Sequence, residues 1–180
     1  MKRALWSLFE VVQTVAIAVV AVFLVRTFVA QPFLVSGASM EPTFENGDYL
    51  LVDELAYRFR EPERGEVIVF RYPGDHRSYY IKRIIGLPGE RVEIKDGQVE
   101  VLGRGGEKVL REPYVAPLAR TGNFDVTLGD GEYFMMGDNR NFSFDSRNWG
   151  PLARGDVIGL VRLRLWPLTS AQAFAAPAYQ

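Results

Sequence analysis

The stretch Glu66–Ile85, EVIVFRYPGDHRSYYIKRII, contains two short runs rich in β-branched and aromatic residues. The first run is Glu66–Tyr72 and the second is Tyr79–Ile85, with a turn signal at Pro73-Gly74 between them. Such residues favour a pleated, half-buried surface over a helix. The stretch therefore predicts two β-strands separated by a turn.

The same pattern continues on both sides of this stretch. Asn46-Gly47, Pro88-Gly89 and Gly129-Asp130-Gly131 mark further turns, and Lys95-Asp96-Gly97 favours a hairpin. The other strand-like runs are Tyr49–Val52, Arg91–Ile94, Gln98–Leu102, Glu132–Met136 and Val157–Leu165. Short strands with frequent turns predict a mainly β fold, an antiparallel β sandwich or barrel. Residues 94–125 carry more glycine and charge, and we expect a small β insertion there.

The N-terminal segment, residues 1–30, has a different character. Val11–Ala30, VVQTVAIAVVAVFLVRTFVA, is mostly apolar and as a helix would cover about 30 Å, the thickness of a bilayer's hydrocarbon core. Lys2 and Arg3 precede it, and the positive-inside rule then places the N-terminus in the cytoplasm. We predict a single transmembrane helix, with a β-rich domain over 31–168 on the outer side. A cleavable signal peptide and a buried core helix are the alternatives.

Composition excludes several kinds of chemistry. The 180 residues include no cysteine and one histidine, which excludes a thiol nucleophile, a disulfide framework and a Cys-based or His-rich metal site. A net charge of −1 gives no indication of a nucleic-acid partner. We predict neither a cofactor nor a metal. The tail 169–180 is short and rich in alanine, which predicts disorder.

Two clusters offer a nucleophile and a base. Ser36–Thr43, SGASMEPT, is an irregular loop that can present a hydroxyl beside a backbone N–H. In Tyr79–Gly89, YYIKRIIGLPG, both strand faces are apolar around a cation, so Lys82 or Arg83 risks burial. Arginine stays protonated in proteins, whereas burial lowers the pKa of a lysine. Only Lys82 can therefore become a general base.

A third cluster is Met135–Arg147, MMGDNRNFSFDSR, in which Asp145 and Arg147 can form an ion pair. Taken singly, an ordinary turn, an edge lysine and a polar surface loop would explain the three clusters. Taken together, in this order after an apolar N-terminal span, they resemble the type I signal peptidases. The resemblance covers nearly the whole chain, including the RGEVIVF motif at Arg64–Phe70.

This resemblance implies a membrane-anchored serine endopeptidase that removes N-terminal signal peptides after an Ala-x-Ala-like site. It implies that Ser39 is the nucleophile and Lys82 the general base. Ser143 would help to position the lysine, while Asp145 and Arg147 would support the architecture of the site.

The family reads small residues in shallow apolar pockets, which implies a pocket lined by Phe33, Val35, Tyr80 and Ile81. The implied partners are preprotein signal peptides and the lipid bilayer, close to the translocation machinery and without nucleic acid. The implied location is the cell membrane.

The chain departs from the family pattern at Gly37, where some members carry a hydroxyl as a second oxyanion donor. Phe144 stands where a small residue is frequent. Two other interpretations stay open. A membrane-anchored β module could bind peptides without cleaving them, and a self-cleaving Ser/Lys repressor would need a DNA-binding helix-turn-helix where the apolar span stands.

Overall fold

The computed structural model of the chain describes residues 2–28, 30–103, 105–116, 122–177 and 179. An N-terminal helix, α1, runs over Lys2–Phe28. Within this described part, no helix is long and apolar enough to cross a membrane. The predicted span, Val11–Ala30, is helical as far as Phe28, whereas Ala30 already begins a strand and residue 29 lies outside the described residues. Its crossing of a bilayer stays a prediction. Among the side chains of α1 that the structure describes, the exposed large apolar ones are Trp6, Phe9, Val11, Val12, Val15, Ile17, Val19, Val20 and Val22.

The rest of the chain forms two antiparallel sheets, which confirms the predicted mainly β class. The strands are β1 Ala30–Leu34, β2 Tyr49–Asp53, β3 Val67–Tyr72, β4 Asp75–Gly86, β5 Arg91–Lys95, β6 Gln98–Gly103, β7 Gly106–Val109, β8 Phe124–Thr127, β9 Glu132–Met136, β10 Leu152–Ala153, β11 Val157–Trp166 and β12 Gln172–Ala173. Two short helices, α2 at Ala56–Phe59 and α3 at Ser146–Trp149, connect them. The main sheet has the order β1-β2-β11-β3-β4-β9-β10, with β12 beside β11, and the second sheet has the order β7-β6-β5-β8.

The main sheet is covered on both faces around β3 and β4. Alternate residues of a strand point to opposite faces, so Val67 and Val69 pack in one apolar cluster and Ile68 and Phe70 in another. The first cluster also holds Phe44, and we call its side of the sheet the pocket face; the other side is the opposite face. Because both faces are buried, a cation in the middle of β4 is taken out of water.

The second sheet begins at Arg91 and ends at Thr127, so it extends beyond both ends of the β insertion predicted over 94–125. Its β5–β6 hairpin turns at Asp96 and Gly97, whose φ angles of 49° and 82° are those that a tight two-residue turn requires. The inward residues Val92 and Ile94 pack against Phe134 of the main sheet. This contact fixes the second sheet behind the strand that leads into the Met135–Arg147 cluster.

The described part of the C-terminal tail, residues 169–177 and 179, is packed against the body, whereas the sequence predicts disorder over 169–180. Strand β12 pairs with β11, and the ring of Phe174 lies 4.4 Å from that of Phe44. The hydroxyl of Tyr179 lies 2.7 Å from that of Tyr114. Two aromatic side chains within the alanine-rich tail thus find partners, which composition alone does not reveal.

Candidate active site

Ser39 and Lys82 come together although 43 positions separate them in the sequence. Ser39 lies in the turns that follow β1, where Gly37 has a φ of +98° that a residue with a side chain rarely adopts. Lys82 lies on β4. Its Nζ donates hydrogen bonds to Ser39 Oγ at 2.8 Å and to the carbonyl oxygen of Ile81 at 2.9 Å. The arrangement joins a hydroxyl directly to a potential base.

The environment of Lys82 favours its neutral form. The residue is only 4% exposed. Burial lowers the pKa of Lys82 to about 8, while the negative charges of Asp145 and Asp138 act in the opposite direction. A substantial fraction of the lysine is therefore neutral near pH 8 and can accept a proton.

Each of those two carboxylates is paired with an arginine. Arg83 contacts Asp138 through Nε at 2.9 Å and Nη2 at 2.6 Å, and both side chains are buried. Arg147 contacts Asp145 through Nε and Nη2, both at 2.8 Å, and here too the carboxylate is fully buried. Burial opposes ionisation of Asp145, but Arg147, together with the Ser143 hydroxyl and the hydrogen bond from the Gly137 N–H, outweighs burial and holds the pKa of this carboxyl below its usual value. The sequence indicated that one cation of the Lys82-Arg83 pair risked burial; the structure buries both.

Ser143 lies against the Ser39 loop, with its hydroxyl buried. Among the described residues, its Oγ makes no hydrogen bond of good geometry, although its proximity to Asp145 helps to lower the pKa of that carboxyl. The close approach depends on Gly137. A Cβ at this position would come within 2.6 Å of Ser143 Cβ, and closer still to Ser143 Oγ and the carbonyl oxygen of Ser39.

The loop after β9 also holds the Ser39 segment by hydrogen bonds. The hydroxyl of Thr43 donates to Asp138 Oδ2 at 2.5 Å. Asn139 donates through its backbone N–H to the carbonyl oxygen of Ser39 at 3.1 Å and through Nδ2 to that of Ala38 at 3.0 Å. The sequence alone gives Thr43 no partner, and its place at the end of the Ser36–Thr43 cluster is the available signal for this contact.

A cavity of about 570 Å³ opens beside Ser39 and Lys82. The four residues predicted to form a pocket all line it: Phe33, Val35, Tyr80 and Ile81. Phe33, Val35 and Ile81 belong to the cluster on the pocket face. Tyr80 packs on the opposite face, so the predicted set is divided between the two sides of β4. Phe142 and Phe144 also line the cavity, which the sequence analysis did not predict.

Neither a metal site nor the histidine lies beside Ser39 and Lys82 in the part of the chain that the structure describes. Among the described residues, no group of three His, Cys, Asp or Glu side chains is placed to hold a metal ion. His76 lies at the start of β4 with its side chain 62% exposed, and its Nδ1 is 3.1 Å from Asp156 Oδ1.

Comparisons with known proteins identify the family to which this chain is similar. The family model described as "Signal peptidase, peptidase S26" matches residues 8–166. A probable signal peptidase I-2 from Synechocystis is 39% identical over 88% of this chain and 73% of its own length. Signal peptidase I V from Bacillus subtilis is 38% identical over 89% of this chain and 98% of its own. A crystal structure of a signal peptidase I from Enterococcus faecalis, 32% identical, covers 56% of this chain and 97% of its own with a TM-score of 0.49.

Proposed function

The chain belongs to the signal peptidase family, peptidase S26, and on that premise we propose that it removes signal peptides from exported preproteins as a Ser/Lys endopeptidase. The single observation that carries the proposal is the 2.8 Å hydrogen bond between Lys82 Nζ and Ser39 Oγ. A serine hydroxyl attacks a peptide carbonyl only when a base removes its proton, and Lys82 is the base within reach.

The proposed reaction passes through an acyl-enzyme. Neutral Lys82 takes the proton of Ser39 as Oγ attacks the scissile carbonyl, and the backbone N–H of Ser39 stabilises the oxyanion. The lysine then gives the proton to the departing amine, which leaves an acyl-enzyme. A water molecule, activated by the same amine of Lys82, hydrolyses the ester and restores the hydroxyl.

The free edge of β4 provides a place for the substrate. On one side, β4 pairs with β3 from Asp75 to Arg83, whereas on the other side it pairs with β9 only from Arg83 to Gly86. Of the described strands, none covers the second edge along residues 76–82. An extended peptide can add to such an edge through backbone hydrogen bonds. Its carbonyl would then lie beside Lys82, with small side chains in the pocket that holds Phe33.

We also propose that α1 anchors the enzyme in the cell membrane with its N-terminus in the cytoplasm and the catalytic domain outside. Its apolar side chains, such as Val11, Ile17 and Val20, are exposed around the helix. Between Val11 and Val22 only Gln13 and Thr14 are polar, and lipid stabilises an exposed apolar surface of this kind. Because β1 begins within two residues of the end of α1, the site would lie close to the membrane surface, where preproteins emerge from the translocation machinery.

The experiment that tests this function is cleavage of a purified preprotein with an Ala-x-Ala site, followed by N-terminal sequencing of the product. Wild-type protein should cut after the second alanine, while Ser39→Ala and Lys82→Met should not. Ser170→Ala and Lys95→Met, at positions outside the site, serve as matched controls and should cleave normally. Binding of the preprotein without cleavage by the wild type would contradict the proposal and favour a peptide-binding module.

A further inference from the structure

Phe144 occupies a position from which it can contact a substrate. It lines the same cavity as Ser39 and Lys82, and it is half exposed. Its neighbours in the chain are Ser143, whose hydroxyl is buried, and Asp145, whose carboxylate is fully buried. The backbone on either side of Phe144 is therefore held in place while the ring faces the cavity.

The ring of Phe144 extends an aromatic group on the opposite face of the main sheet. It packs edge-on against Tyr72 with 6.0 Å between ring centroids, and Tyr72 stacks on Tyr80 at 4.7 Å with an angle of 10° between the rings. Tyr80 in turn lies beside Lys82, whose Nζ is 5.6 Å from the ring centroid. Phe144, Tyr72 and Tyr80 thus form a continuous wall that ends at the proposed base.

The two faces of β4 would receive different residues of a peptide bound at its free edge. A strand added to the free edge of β4 points successive side chains to opposite faces. If the two small residues of an Ala-x-Ala site enter the pocket with Phe33, Val35 and Ile81, the residue between them points to the opposite face. There it meets the aromatic wall.

We propose that Phe144, supported by the Tyr72–Tyr80 stack, contacts the residue between the two small residues of the cleavage site and makes the enzyme prefer an apolar or aromatic side chain there. This inference rests on the proposed function and deepens it. A flexible polar surface at this place would not discriminate between different middle residues. An aromatic contact of ordinary strength changes kcat/KM by about three- to tenfold.

The test is a series of peptides that are identical except for the middle residue of Ala-x-Ala, which is phenylalanine, alanine or aspartate. For the wild type, kcat/KM should be about three- to tenfold higher with phenylalanine than with alanine, and lowest with aspartate. Phe144→Ala should bring the phenylalanine-to-alanine ratio close to one. Phe144→Leu, which keeps an apolar side chain, should give an intermediate ratio.

Phe59→Ala is the matched control, since Phe59 is 84% exposed and does not line the cavity. It should keep the wild-type ratio. An equal ratio in the wild type and in Phe144→Ala would overturn the inference and leave the proposed function standing, and so would a wild type without preference. If folded wild type cleaves no peptide of the series, the proposed function fails and the inference with it.

Discussion

Gly137 offers a sharp test of the site's geometry because, without a side chain, it lets the Ser39 loop and Ser143 come close together. In Gly137→Ala, the new Cβ would lie 2.6 Å from Ser143 Cβ, whereas ordinary contacts of a Cβ lie at 3.4–4 Å. The backbone of Ser39 or the Ser143 segment must therefore shift by about 1 Å, and a misplacement of this size costs about 100-fold in rate. Overpacking of this kind destabilises a protein by about 1–3 kcal/mol.

The assay compares kcat/KM on an Ala-x-Ala peptide with the free energy of unfolding in urea, for the wild type, Gly137→Ala and Gly155→Ala. Gly155 is the control, because a Cβ there meets nothing within 4 Å. We expect Gly137→Ala to fold and to lose about 100-fold in kcat/KM, and Gly155→Ala to resemble the wild type. A Gly137→Ala enzyme within threefold of the wild-type rate would refute the assignment of Ser39 and Ser143 to one site.

Three further predictions concern the charges around the site. Lys82→Met should raise the free energy of unfolding at pH 7 by about 3 kcal/mol, because the folded wild type bears the cost of a buried charge below pH 8. That cost falls as the pH rises from about 8, the pKa of Lys82 in the folded state, to about 10.5, its pKa in the unfolded chain. Urea unfolding should therefore show that wild type and Lys82→Met differ in stability at pH 7 and that this difference vanishes above about pH 10.5. Lys82→Arg should cleave no preprotein in a gel assay, since the guanidinium stays protonated, and wild-type turnover would contradict the mechanism. Asp138→Asn removes the charge that pairs with buried Arg83 and should lower the free energy of unfolding by about 3–5 kcal/mol. Asp125→Asn, in an exposed pair with Arg91, is the control and should lower it by less than about 1 kcal/mol. Equal losses in the two variants would contradict the argument from burial.

Much of the strand content could be predicted from local pattern. The runs Glu66–Tyr72 and Tyr79–Ile85 correspond to β3 and β4, because β-branched residues and turn signals act over a few residues. The Asp96-Gly97 turn was predictable for the same reason. What pattern did not supply was the extension of β4 back to Asp75, which depends on pairing with β3.

The site itself required more than local pattern. The spacing of Ser39 and Lys82 in the sequence does not predict that they meet. The resemblance to a family indicated the pair, and in the structure β4 carries Lys82 to within hydrogen-bonding distance of Ser39. The sequence indicated that a cation in Tyr79–Gly89 risked burial. The carboxylate that balances the buried charge of Arg83 belongs to Asp138, which lies 55 positions away in the sequence. Likewise, Phe144 could be noted as unusual in its motif, while its contact with Tyr72 depends on tertiary packing.

The pH dependence of kcat/KM tests the central claim, that neutral Lys82 is the base for Ser39, most directly. Because the lysine must lose its proton to act, kcat/KM on an Ala-x-Ala peptide should rise with pH through an apparent pKa of about 8 and then level off. His76→Ala should give the same profile. A rate that does not change with pH, or a pH profile that His76→Ala alters, would contradict it.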